Sequence, residues 1–238
     1  MKITTCCMAA LAFGICQLAA AEEPFTLDFA VEPEWQTTSE PGYNRQIKNF
    51  WKGVTLPIPP QEKDFTLRVN VDIERSGIYC FFRVLAAHST RKLHGVGFFI
   101  SDSKRKPCVG FLTAHWVQPC KPFVLPQYGK YEVLCEYAAA RQAVRYQIRD
   151  AEHNLLHDTG FLKSRYPVSA DTLILSVMEN PAAGLSNITY DAEKQNVSFH
   201  SQVSAKGFRT CGTVDDIVVD SALPQETAEP GQSAEGGK

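Results

Sequence analysis

"DFTLRVNVDIER", residues 64–75, alternates along its whole length. Phe65, Leu67, Val69, Val71 and Ile73 fall on one side, and Arg68, Asn70, Asp72 and Glu74 on the other. A period of two belongs to the β-strand, whose successive side chains point to opposite faces. One apolar and one polar face predict a sandwich strand with its polar side turned to solvent.

The same alternation recurs outward in both directions. Further strands are predicted over 25–30, 78–86, 96–101, 108–113, 131–138, 144–150, 155–161, 172–179, 197–202 and 213–220. Between them stand "ERSG", "SDSKRKP", "DAEHN" and "ENPAAGLSN", rich in the residues that favour turns. No stretch carries a sustained helical period. Many strands with short connections and no intervening helix predict an all-β, two-sheet antiparallel β-sandwich of the jelly-roll kind. Residues 32–61, with Trp35, Tyr43, Phe50, Trp51 and several prolines, are expected to form a long irregular entry across one face.

Three segments are expected. Residues 1–21 read as a secretory signal peptide: Lys2, then an apolar run, then Ala19-Ala20-Ala21 as a cleavage site. Residues 22–221 form the sandwich domain, and 222–238, poor in apolar residues, a disordered tail. The expected location is therefore outside the cytoplasm, periplasmic or extracellular. A formal net charge of −2 gives no electrostatic footprint for nucleic acid, and no later segment predicts membrane insertion. Five cysteines lie beyond the signal, an odd number, with at most one disulfide expected and Cys108–Cys120 as its local candidate. Asn187 and Asn196 head N-x-S/T sequons, which matter only in a eukaryotic source.

The order of these features resembles the concanavalin A-like lectin/glucanase superfamily. "DFTLRVNVDIERSGIYCFFRVL" looks like its early strand pair, "HGVGFFISDSKRKPCVGF" like the next hairpin, and "GTVDDIVVD" like the closing strand. The resemblance implies a jelly-roll fold and, as partner, a carbohydrate, either a polysaccharide or a glycoconjugate. Hydrolases of that superfamily carry an E-x-D-x-(x)-E motif on one strand. Here the matching face reads Asn70, Asp72, Glu74, and an amide cannot act as the attacking carboxylate. The resemblance further implies a structural calcium between closing strand and N-terminal segment, with Asp216 and Asp28 as candidate ligands. Two carboxylates fall short of the roughly six to eight oxygens calcium takes, and ordinary strand-end polarity is the preferred account of them.

Ligand contacts are expected elsewhere. In "IYCFFRVL", Tyr79, Phe81 and Arg83 share a face opposite Ile78, Cys80, Phe82 and Val84. Rings stack on sugar C–H faces and a guanidinium takes hydroxyls or carboxylates, although the same pattern fits a strand buried on both faces. His115 and Trp116 in "LTAHWVQPC" follow a strand end and are expected at the rim of the same site. No nucleophile triad, metal motif or phosphate loop has local support, so no catalytic residue is named; the resemblance implies an exported carbohydrate-binding protein, with enzymatic activity left open but leaned against. Two other readings stand beside it. One is a glycan-cleaving enzyme, because "DFTLRVNVDIERSGIYCFFRV" also resembles a segment of the 3-keto-disaccharide hydrolase family. The other is a non-catalytic structural or envelope protein.

Overall fold

A computed structural model describes residues 23–27, 29–30, 32–41, 50–113, 118–180, 184–203 and 207–221. The expected signal peptide and C-terminal tail lie outside them. The described chain forms β1 (Phe25–Leu27), β2 (Gln36–Pro41), β3 (Phe50–Gln61), β4 (Phe65–Arg75), β5 (Phe82–His88), β6 (Arg91–Ser103), β7 (Lys106–Leu112) and β8 (Phe123–Val124). It continues with β9 (Gly129–Ala138), β10 (Ala143–Asp150), β11 (Leu155–Asp158), β12 (Leu162–Lys163), β13 (Ala170–Glu179), β14 (Asn187–Asp191), β15 (Asn196–Ser201) and β16 (Thr210–Asp220). The only helical element among the described residues is a single 3-10 turn at Ala139–Arg141.

Two antiparallel sheets face each other. Sheet A runs β11-β10-β9-β4-β16-β15-β14, with β1 added at β16 and β12 at β10; sheet B runs β2-β3-β13-β5-β6-β7-β8. The opening stretch is β4, at the centre of sheet A between β9 and β16. Phe65, Leu67, Val69, Val71 and Ile73 are all buried in the core between the sheets. Each such side chain contributes roughly 2 kcal/mol on leaving water, which is why this register holds. Facing them from sheet B are Leu173, Leu175 and Val177 of β13, Phe82 and Val84 of β5, and Phe98 and Ile100 of β6.

Sheet B buries its other face as well. Leu85, Ala87, Phe99, Leu112 and Ile174 form a second apolar cluster there, with Phe81 packed against it. Gly97 lies opposite Leu85 in this layer. A Cβ at Gly97 would stand 2.1 Å from the Val84 carbonyl oxygen, so only glycine allows the two strands to close there.

Two expectations on the elements change. Residues 32–61 hold β2 and the twelve-residue β3 instead of an irregular loop. Pro57, Pro59 and Pro60 concealed β3, yet β2 pairs only with residues 50–55 of it. Beyond Thr55 that side of β3 is an edge, where a missing N–H breaks no ladder. The second change concerns residues 78–81, which precede β5 as a turn instead of opening it.

The described cysteines Cys80, Cys108, Cys120, Cys135 and Cys211 are all free thiols. Cys108 alternates with core-facing Val109 and so points to the outer side of sheet B, whereas Cys120 packs against the core cluster. A disulfide needs Cβ vectors that converge, and these do not, so the expected Cys108–Cys120 pair does not form. Asn196 is buried, so its sequon cannot carry a glycan.

Candidate functional site

The structure separates the three residues expected on one face of β5. Arg83 is fully buried. Its guanidinium carbon stacks 4.5 Å from the centre of the Trp51 ring, and its Nε donates to Ser176 Oγ at 2.9 Å. Phe81 is half-buried, edge-on to Phe99 at 5.5 Å and tilted against Trp51 at 6.4 Å. Both side chains knit the outer layer of sheet B. Tyr79 alone turns to solvent, 61% exposed. His115 and Trp116 lie outside the described residues.

Tyr79 owes its position to the turn at residues 77–80. The Cys80 N–H donates to the Gly77 carbonyl at 3.1 Å, and Tyr79, the third residue, has φ +64°. A turn of this kind favours glycine or asparagine at that place, and a tyrosine there costs on the order of 1 kcal/mol or more. The turn is held in place regardless. Thr210 Oγ1 accepts from the Gly77 N–H at 3.0 Å and donates to the Cys80 carbonyl at 2.7 Å. The Cys80 thiol donates to the Phe208 carbonyl at 3.1 Å, and the Phe81 N–H to Ser201 Oγ at 3.1 Å. Gly77 makes this closeness possible, since a Cβ there would come within 2.6 Å of the Arg209 nitrogen. Ser201 in turn donates to the Met178 carbonyl at 2.8 Å, which joins sheet A to sheet B at this end.

Two more exposed rings belong to residues hydrogen-bonded to this turn or to Ser76 just before it. Phe208, 54% exposed, sits on the segment that Cys80 bonds. Tyr128, 41% exposed, meets Ser76 at 3.2 Å through its hydroxyl, and Ser76 donates to Asp102 at 3.2 Å. Ile78 is exposed as well.

A polar groove of about 330 Å³ opens beside Phe208 on the outer face of sheet A. Asn187 and Thr189 of β14, Ser198 and His200 of β15, Cys211 and Thr213 of β16, Glu74 of β4, Lys194 and Arg209 line it. A register shift in the β4–β16 ladder places two β4 residues, Glu74 and Arg75, against Cys211, and such a bulge re-aims side chains. The Cys211 thiol lies 3.9 Å from Glu74 Oε2, and burial, with Glu74 beside it, raises its pKa. Under the groove, Phe199 stacks on Phe82 across the core, with ring centres 3.9 Å apart and planes at 2°.

The polar residues of the opening strand face outward from sheet A. Asn70 lies opposite Glu132 on one side and Asp216 on the other, and Asp72 opposite Lys130 and Thr213, all on the outer face of sheet A. Asp216 follows a bulge in β16, and Asp28 lies outside the described residues. Among the described residues no three His, Cys, Asp or Glu side chains gather as a metal site.

Sheet order, antiparallel pairing and the layered core define the class: an all-β, two-sheet antiparallel β-sandwich. No family model and no curated protein matches the chain. Among solved structures, it is similar to the CBM2 module of the evolved Dit of Lactobacillus casei BL23 phage J-1, with TM-score 0.50 and 10% identity over 84% of this chain and 96% of that one. A Lotus tetragonolobus seed lectin aligns with TM-score 0.47 and 6% identity over 85% of this chain and 100% of that one. Botulinum neurotoxin type C aligns with TM-score 0.46 and 8% identity over 80% of this chain but 44% of the toxin chain, so this chain spans under half its length. These are likenesses of fold. Among the described residues no helix is long and apolar enough to cross a membrane.

Proposed function

We propose that the protein binds carbohydrate, a polysaccharide or glycoconjugate, along the end of the sandwich that carries Tyr79. The observation that supports this most is Tyr79 itself. A strained backbone persists only where the surroundings over-determine it, and here it holds an aromatic ring out into water. Rings so placed stack on the C–H faces of sugars, and the hydroxyls, amide and charged groups of the adjacent groove suit sugar hydroxyls. The lectin and carbohydrate-binding module that share the fold are consistent with this reading. The N-terminal sequence supports export to where such glycans lie.

A glycan array probed with the protein tests the proposal. Hits are expected that weaken about tenfold or more in Tyr79→Ala and in Phe208→Ala, consistent with the roughly 1–3 kcal/mol that ring-stacking contacts contribute in related recognition. Hits indifferent to both substitutions would move the site elsewhere. Release of reducing sugar or a 3-keto product from a polysaccharide panel would replace binding with catalysis. No hit at all, with a protein partner recovered, would favour the structural reading.

A further inference from the structure

We propose that the groove beside Phe208 is a subsite for an acidic sugar, a carboxylated residue such as a uronate, with Arg209 as its anion contact. The inference rests on the carbohydrate reading and names the class of glycan. Its basis is an imbalance in how the lining charges are engaged. Lys194 is paired with Asp191 at 3.3 Å, and His200 with Gln202 at 3.2 Å. Glu74 faces the Cys211 thiol. The exposed Arg209 makes no ion pair or side-chain hydrogen bond among the described residues, yet it lines the groove. A guanidinium presents a planar fork of donors that matches a carboxylate bidentately, and that match is stronger than a hydrogen bond between neutral groups.

The rest of the lining suits the remainder of a sugar ring. Asn187, Thr189, Ser198 and Thr213 come from three adjacent strands and offer hydroxyl and amide groups to sugar hydroxyls. Glu74 accepts hydroxyl donors and repels a second anion, which favours a single carboxylate over a densely charged polymer. The volume of about 330 Å³ accommodates one or two sugar rings, at the lower end of the range for small-ligand sites. Arg209 directly follows the exposed Phe208 in the chain, so the acidic subsite stands one residue from an exposed ring.

The test is an array carrying carboxylated glycans, uronate-containing and sialylated, beside their methyl-esterified and neutral counterparts. Wild-type protein is expected to bind the free acids about tenfold or more tightly than the esters, with the preference weakening as salt rises. Arg209→Gln is expected to bring acid and ester within about twofold while Tyr79-dependent binding of the ester persists. Arg209→Lys should recover part of the preference, because charge returns without the fork. Equal binding of acid and ester by the wild type, with dependence on Tyr79 intact, overturns the acidic subsite and leaves carbohydrate binding standing. Absence of binding to every glycan overturns both. Retention of the preference in Arg209→Gln overturns the assignment to this groove.

Discussion

Tyr79 and Arg83 stand four positions apart and divide the work that their sequence pattern seemed to share. Arg83 is out of water, its charge spread over the Trp51 face and bonded to Ser176, so it contributes to the packing of sheet B. Tyr79 contributes nothing to a core and strains its own turn. Replacing it with glycine should therefore separate stability from function. Tyr79→Gly is expected to raise unfolding stability by about 0.5–1 kcal/mol, read as a higher urea midpoint at unchanged slope, while glycan affinity falls. A lower midpoint would mean that the ring packs instead of waiting for ligand. The turn was hard to read because "GIYC" has no glycine or asparagine at the position that needs one.

At the scale of elements, strand pairing is enforced by a few positions with no room to vary. Gly97→Ala drives a methyl group into the Val84 carbonyl on the neighbouring strand, and about 2 kcal/mol of stability should be lost, measured by chemical denaturation. The contact of β7, β8 and β11 is more conditional. His157 of β11 lies between Phe123 and Phe111, with ring centres 4.5 and 5.7 Å away, and Phe111 stacks on Tyr146. His157 Nε2 is buried with no hydrogen-bond partner among the described residues, and burial lowers its pKa despite Asp158 alongside. The folded state thus takes up its proton less readily than the unfolded one. Its contribution is complete above the unfolded value near about 6.5 and erodes as pH falls from there toward the lowered folded value. A thermal midpoint followed from pH 7 downward should drop in that window, and His157→Phe should flatten the drop. The carboxylate of Asp158, held ionised by Arg145 at 2.6 Å, is lost only in much stronger acid, so the two effects separate on the pH axis.

For the molecule as a whole, stability comes from one core between two sheets, with no covalent bridge among the described cysteines. Its thermal midpoint should be the same with and without a thiol reductant, and a fall of several degrees on reduction would reveal a bridge. Much of this architecture was legible in advance. β4, β9, β10 and β16 of sheet A could be read because a half-buried strand must alternate, and β4 does so over its full length. β3 could not, because its prolines are harmless only where the strand is an edge, and edges exist only once the sheet has formed. Nor could the groove: Glu74 and Cys211 lie 137 positions apart and meet only through the β4–β16 ladder. By itself, then, the amino-acid sequence determined the all-β class, the core face of its central strands and the polarity of the outer face of sheet A, since alternation is a local property. The tertiary structure alone decided which aromatics stay in water, that Arg83 is buried and Tyr79 is not, and which side chains line the groove. Those outcomes depend on what each face meets across space, and periodicity along the chain carries no record of the opposite partner.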